Sequence, residues 1–347
     1  MKRFFRICAL LLTFFLTGCS GTPVVCYDPC DCPNAVQPQP DPEPDATEIP
    51  LKTGLAVVTS IADSQNAAQG DFQVTLAALT VDDSGVIQSC VLDGISTQVT
   101  FDASGAITGG VSDSVLSKNE LGDDYGMKTY GGAKFEWYQQ AAAFARYVQG
   151  KTVEEVKRYG VNTEGMASDP DLATSATIYL GDFLQAIEQA AAGAQHLGAQ
   201  QGDALRLASL SSTAASVSAS AENPGAAQLD TDVTALTIRD DVITSCVIDS
   251  LQAQVSFDTS GTITTDVAQP VPTKNQLGDD YGMVAYGGAK YEWYQQAASF
   301  ARYVTGMTAR EVSGITVDQG KAAQADLLSS VTIRITGFQA LVVKACE

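Results

Sequence analysis

Several runs of the chain alternate apolar and polar side chains with a period of two, and others repeat with a helical period. Gln73–Val81 and Val86–Leu92 are β-rich runs around Asp82-Asp83-Ser84-Gly85, which predicts a hairpin. Gln98–Phe101 and Ala106–Thr108 flank Asp102-Ala103-Ser104-Gly105, a second turn of the same kind. Over Ala133–Val148 the period changes. Trp137, Ala141, Phe144 and Val148 follow i, i+4, i+7 and i+11, so they form one apolar stripe on a helix that Gly150 stops. Thr152 with Glu155 three residues on is a capping box and opens a short helix. The alternation over Ser175–Leu180 predicts a further strand, and Asp182 to about Ala192 predicts a closing helix. Strands followed by helices place the chain in the α+β class, as a small antiparallel sheet with helices packed on one face.

The same pattern occurs twice. Lys118–Thr152 and Lys274–Thr308 agree at 28 of 35 positions with an offset of 156. The likeness continues upstream, where Val81–Cys90 answers Ile238–Cys246, and downstream, where Asp171–Ala190 answers Asp326–Ala345. Thr308 and Glu311 repeat the capping box. Units of about 140 residues are too long for a solenoid and suit whole domains. The expected division is therefore a first repeat over 51–193, a linker rich in Ala, Gly and Gln over 194–203, and a second repeat over 204–347.

The start of the chain reads as an address. Lys2, Arg3 and Arg6 precede an apolar run from Ile7 to Leu16, so 1–18 is expected to be a signal peptide. That run is too short to span a bilayer. It ends in Leu16-Thr17-Gly18-Cys19, which resembles a bacterial lipobox. The resemblance implies cleavage before Cys19 and acylation of its thiol with chains such as palmitate. The expected product is a lipoprotein held at the cell membrane by its lipid, facing outside the cytoplasm. Residues 19–50 carry Cys26, Cys30 and Cys32, then Pro38, Pro40, Pro42 and Pro44, a composition that favours an extended tether. Disulfides among Cys26, Cys30, Cys32 and Cys346 are open in an oxidising exterior.

Charge and composition narrow the chemistry. With 40 Asp and Glu against 20 Lys and Arg, the formal charge is −20, the wrong sign for a nucleic-acid partner. One histidine, His196, rules out His-rich metal sites and disfavours His-based hydrolysis. Cys90 and Cys246 stand at matching strand positions, as buried structural thiols do.

Asp171-Leu172-Ala173-Thr174-Ser175-Ala176-Thr177 and Asp326-Leu327-Leu328-Ser329-Ser330-Val331-Thr332, each just before a helix, together with the upstream strand pair, resemble the FMN-binding domain family. In that family an Asp-x-x-Ser/Thr-Gly-Ala-Thr segment takes FMN on its threonine through a phosphoester. The resemblance places Thr177 and Thr332 at the flavin-bearing position and Asp171 and Asp326 at the leading acid. Ser175 and Ser330 stand where the family has glycine, and Val331 where it has alanine. The implied function is an extracytoplasmic, FMN-associated electron carrier that serves a redox partner protein and is not a turnover enzyme. The alternative is a cofactor-free surface module that binds a ligand or protein, and a third reading is a structural spacer.

The duplicated block holds the loops such a module would use. Asp123, Asp124 and Tyr125 precede Gly126, as Asp279, Asp280 and Tyr281 precede Gly282. Trp137 and Trp293 follow, each between a Glu and a Tyr. Paired carboxylates suit a cation such as calcium, and the rings suit a flat ligand. The competing reading makes the acids caps and the rings core, and no EF-hand loop is present.

Overall fold

The β-rich runs become long strands because both of their faces are covered. The computed structural model describes residues 49–347. The signal segment, Cys19, Cys26, Cys30, Cys32 and nearly all of the tether lie outside the described residues. In order, the elements are β1 (Lys52–Ser60), β2 (Gln69–Val81), β3 (Ile87–Phe101), β4 (Ile107–Gly109), α1 (Lys118–Leu121), α2 (Trp137–Val148), α3 (Val153–Tyr159), α4 (Pro170–Ala173) and α5 (Gly181–Ala192). The second half follows with β5 (Ala204–Ser212), β6 (Gly225–Arg239), β7 (Val242–Phe257), α6 (Lys274–Leu277), α7 (Trp293–Val304), α8 (Ala309–Ser313), β8 (Val317–Asp318), β9 (Lys321–Ala322), α9 (Ala325–Leu328) and α10 (Thr336–Cys346). The class is α+β. Two antiparallel meanders, β1-β2-β3-β4 and β5-β6-β7, carry the helices.

The turns form as their residues dictate. In the β2–β3 turn the Asp82 carboxylate accepts the N–H groups of Ser84 and Val86 and the Ser84 hydroxyl. Asp102 and Asp258 do the same in the corresponding second turns. Each aspartate satisfies the backbone groups that the reversal leaves without a ladder partner.

The described residues, 49–347, fall in one compact unit, so the expected boundary at 194–203 does not separate two bodies. The outer face of the first sheet (Ala77, Leu79, Val81, Ile87) packs on α2 and α5 through Phe144, Phe183 and Ile187. Its inner face (Phe72, Val74, Leu76, Ile95, Val99) packs on Leu229, Leu251, Ala253 and Val255 of the second sheet. The second sheet's outer face is covered in turn by α7 and α10. The order of layers is therefore helix, sheet, sheet, helix. Each large side chain buried between the sheets contributes roughly 1.5–3 kcal/mol, and neither sheet can leave that face in water. The linker is ordered as well. Leu51 donates its N–H to Ala199 O at 2.8 Å, and Thr53 and Gln195 exchange backbone hydrogen bonds.

Several elements differ from the sequence reading: the runs expected as separate strands up to Leu92 and from Gln98 belong to one strand, β3, and β1 is an additional strand. The first helix starts at Trp137, four residues after Ala133, because Glu136 is its N-cap in a capping box with Gln139. Ser175–Leu180 is not a strand. Its backbone finds no ladder, and Leu180 N–H donates instead to Gly165 O at 2.7 Å.

Candidate functional site

The duplicated loops fold around a buried acid. Glu136, 2% exposed, accepts the N–H groups of Met127 at 2.8 Å and Lys128 at 3.1 Å. Glu292 accepts those of Met283 and Val284 in the same way. These carboxylates are spent on holding the loop. Gly126 has φ 78°, and a Cβ there would lie 2.5 Å from Cδ2 of Tyr130, so the tight turn requires glycine.

Of the expected loop ligands, Asp123 and Asp279 each accept a hydrogen bond from a tyrosine hydroxyl, Tyr138 and Tyr294, at 3.2 Å. Asp124 and Asp280 are exposed. The acids do not converge, and no group of three or more His, Cys, Asp or Glu side chains placed to hold a metal ion occurs among the described residues. Trp137 and Trp293 are buried in the helix–sheet cores. The Lys118 ammonium lies 5.3 Å from the Tyr125 ring centroid and 5.1 Å from that of Trp137. Lys274 lies 5.2 Å from both Tyr281 and Trp293. The rings therefore stack on the chain's own cation and core, and they offer no platform for a flat ligand.

Each lysine has a matching buried acid nearby, Asp93 or Asp249, and a second acid whose source changes. Asp182, at the start of α5, serves Lys118, and burial raises its pKa. In the second copy Gly337 takes that helical position and Asp232 on β6 serves Lys274. A Cβ on Gly337 would lie 3.2 Å from Asp232 Oδ2, so the strand acid reaches the space beside the helical position.

Thr177 and Thr332 are exposed and share one setting. Thr177 donates its N–H at 2.7 Å and its hydroxyl at 3.0 Å to Oε1 of Gln140, which is 1% exposed. Thr332 does so to Gln296 at 2.8 and 3.2 Å. Part of the backbone before them is already paired. Ser175 and Ala176 both donate to Leu172 O, Ser330 and Val331 both donate to Leu327 O, and Ile333 donates to Gln296. Asp171 and Asp326 are exposed, on or beside the short helices α4 and α9. The segment thus leaves a hydroxyl facing solvent just before a helix that starts without a side-chain cap.

The sequence reading missed the glutamines that hold these threonines, although both stand on the apolar stripe of their helices, where a polar side chain must find a buried partner. It also missed Asp93 and Asp249. Each accepts two N–H groups, from Gly94 and Asn119 and from Ser250 and Asn275, and burial pushes each pKa up to about 6. Cys90 and Cys246 are buried thiols whose pKa burial pushes up to about 12, which makes them inert as nucleophiles. Cys346 is a free thiol among the described residues.

A cavity of about 730 Å³ lies where the two halves meet. It is bounded by β1, the end of α5, the linker, β7, α6 and α7, with Leu55, Val57 and Val247 as apolar lining and Gln189, Gln276 and Arg302 among the polar groups. Gln276 Nε2 donates to Gln189 Oε1 across it at 3.3 Å. At the opposite junction the equivalent positions are Glu120 and Lys344, which form an ion pair between α1 and α10. The cavity beside Lys344 is smaller, about 320 Å³.

No family model matches the chain, and neither does any curated protein or solved structure.

Proposed function

We propose that the chain is a membrane-tethered, extracytoplasmic binding module that holds a small molecule in the cavity between its two halves. The tether rests on the Cys19 lipobox and the proline-rich stretch behind it. The binding reading rests on one observation: a cavity of about 730 Å³, lined by apolar and polar side chains in similar measure, where a pair of neutral glutamines replaces the ion pair of the opposite junction. Its size and mixed lining are those of a small-molecule site.

Native and denaturing mass spectrometry of the chain released from its own membrane tests this. A small-molecule adduct seen only under native conditions, and lost when Gln189→Lys and Gln276→Glu recreate the ion pair, supports the module. An adduct unchanged by the double substitution contradicts it.

A second reading, flavin carriage with a redox partner protein, is favoured by the two solvent-facing threonine hydroxyls held identically by Gln140 and Gln296. It predicts an adduct that survives denaturation and disappears in Thr177→Ala with Thr332→Ala. A colourless protein after co-expression with a flavin transferase contradicts it.

A further inference from the structure

We propose that the junction cavity selects a small amphipathic monocarboxylate, with its carboxylate on Arg302 and its apolar body against Leu55, Val57 and Val247. This rests on the binding reading above and adds the chemical class of the ligand.

Hydrogen-bonding capacity is unevenly spent in the lining. Most polar side chains there are already committed. Thr53 pairs with Ser245 at 2.7 Å, and Asn275 Nδ2 donates to Ile248 O at 2.9 Å. Gln276 gives its amide N–H to Gln189 and accepts from Thr273 N–H at 2.9 Å. His196 pairs with Asp83, Tyr294 donates to Asp279, and the Thr305 hydroxyl donates to Ala301 O. The uncommitted groups are mainly donors. Gln189 keeps its Nε2, and Arg302 makes no ion pair among the described residues. The amide of Gln195 is uncommitted too and can serve either role.

Arg302 stands at an exposed position of α7, and it is the one Lys or Arg side chain in the lining. The charged and titratable groups facing the cavity are Arg302, Asp249, His196, Tyr294 and Cys246. Asp249 does not neutralise the arginine: it is 6% exposed and one of its oxygens already takes two backbone N–H groups. A donor-rich rim over an apolar floor calls for an acceptor-rich head on an apolar body. One guanidinium matches one carboxylate, in the bidentate geometry that arginine favours. A more highly charged anion would be repelled by the net charge of −20.

The test uses 3-phenylpropionate and its neutral isostere 3-phenylpropanamide, titrated by calorimetry into the full-length chain in nanodiscs. The wild type is expected to bind the carboxylate about tenfold more tightly than the amide, a difference of about 1.4 kcal/mol. Arg302→Gln removes that preference, whereas Arg146→Gln, at the matching position of the first copy, keeps it. Equal binding of the two probes by the wild type, or an unaltered preference in Arg302→Gln, overturns the carboxylate assignment and leaves the cavity as a binding site. Binding of neither probe at millimolar concentration overturns the assignment and the cavity reading together.

Discussion

Phe101 and Phe257 stack face to face, with ring centroids 3.9 Å apart and planes within 5°. They are matching positions of the two sequence copies, and neither ring is more than 2% exposed. The copies therefore complete one another's core, and the junction cavity is a consequence of that union. Truncating either ring to alanine is expected to cost about 3–5 kcal/mol in urea denaturation. The double variant should show a coupling of about 0.5–1.5 kcal/mol, as a direct ring contact does. Strict additivity would mean the rings do not support one another.

Much of the architecture was legible in the sequence. The Asp-x-Ser-Gly turns, the α2 stripe and both capping boxes follow from local chemistry that tertiary context does not override. The second sheet on the inner face was not foreseen, because a strand facing water on one side was assumed. Yet Phe72, Val74 and Leu76 fill one face of β2 while Ala77, Leu79 and Val81 fill the other. Apolar residues in both registers are the mark of a strand covered twice. Ser175–Leu180 misled for a related reason. Ala176 and Leu180 are buried as alternation requires, but no neighbouring strand lies beside them and their hydrogen bonds go elsewhere. The candidate site was the least legible part, since the cavity draws on six elements distant in sequence. Only the threonines were reachable, through the motif that carries them.

Gln140 Oε1 accepts both the N–H and the hydroxyl of Thr177. Gln140→Leu leaves the Thr177 N–H without its partner, and a loss of about 1–3 kcal/mol is expected. Amide hydrogen exchange at Thr177 should speed up, while exchange at Thr332, held by Gln296, should stay as it was. Unchanged protection at Thr177 would show that the hydrogen bond is not formed in solution.

Glu136 and Asp124 are both acids of the duplicated block, with opposite expectations. Glu136→Gln keeps the size but weakens two charge-assisted hydrogen bonds, and about 1–3 kcal/mol should be lost. Asp124→Asn, at an exposed position, should stay within about 0.5 kcal/mol. Thermal unfolding of the two variants side by side distinguishes a structural acid from a surface one.

Stability should fall as pH rises from about 4 to about 6. Asp93 and Asp249 have pKa values pushed up by burial to about 6, against 3.8 for a free aspartate. Between those values the unfolded chain ionises while the folded chain keeps its protons, so the native state loses ground until both forms are ionised. Each group is worth on the order of 3 kcal/mol across that window. Asp93→Asn with Asp249→Asn should flatten the slope and raise stability at neutral pH. A slope that persists in the double variant would assign it to other groups. Asp82, Asp102 and Asp258 act in the opposite sense at lower pH. Serine and backbone hydrogen bonds hold them below the usual range, and their contribution disappears as pH falls through their folded values.

The two tryptophans report on the two copies separately, Trp137 on the first and Trp293 on the second. Single-tryptophan chains made by Trp137→Phe and Trp293→Phe allow urea unfolding to be followed in each half, by fluorescence and by far-ultraviolet circular dichroism on the same sample. If the halves share one core, fluorescence and dichroism midpoints coincide within each variant, in a single cooperative transition. Two separated transitions, with one half still folded after the other has unfolded, would contradict the shared core and remove the basis for a site between the halves.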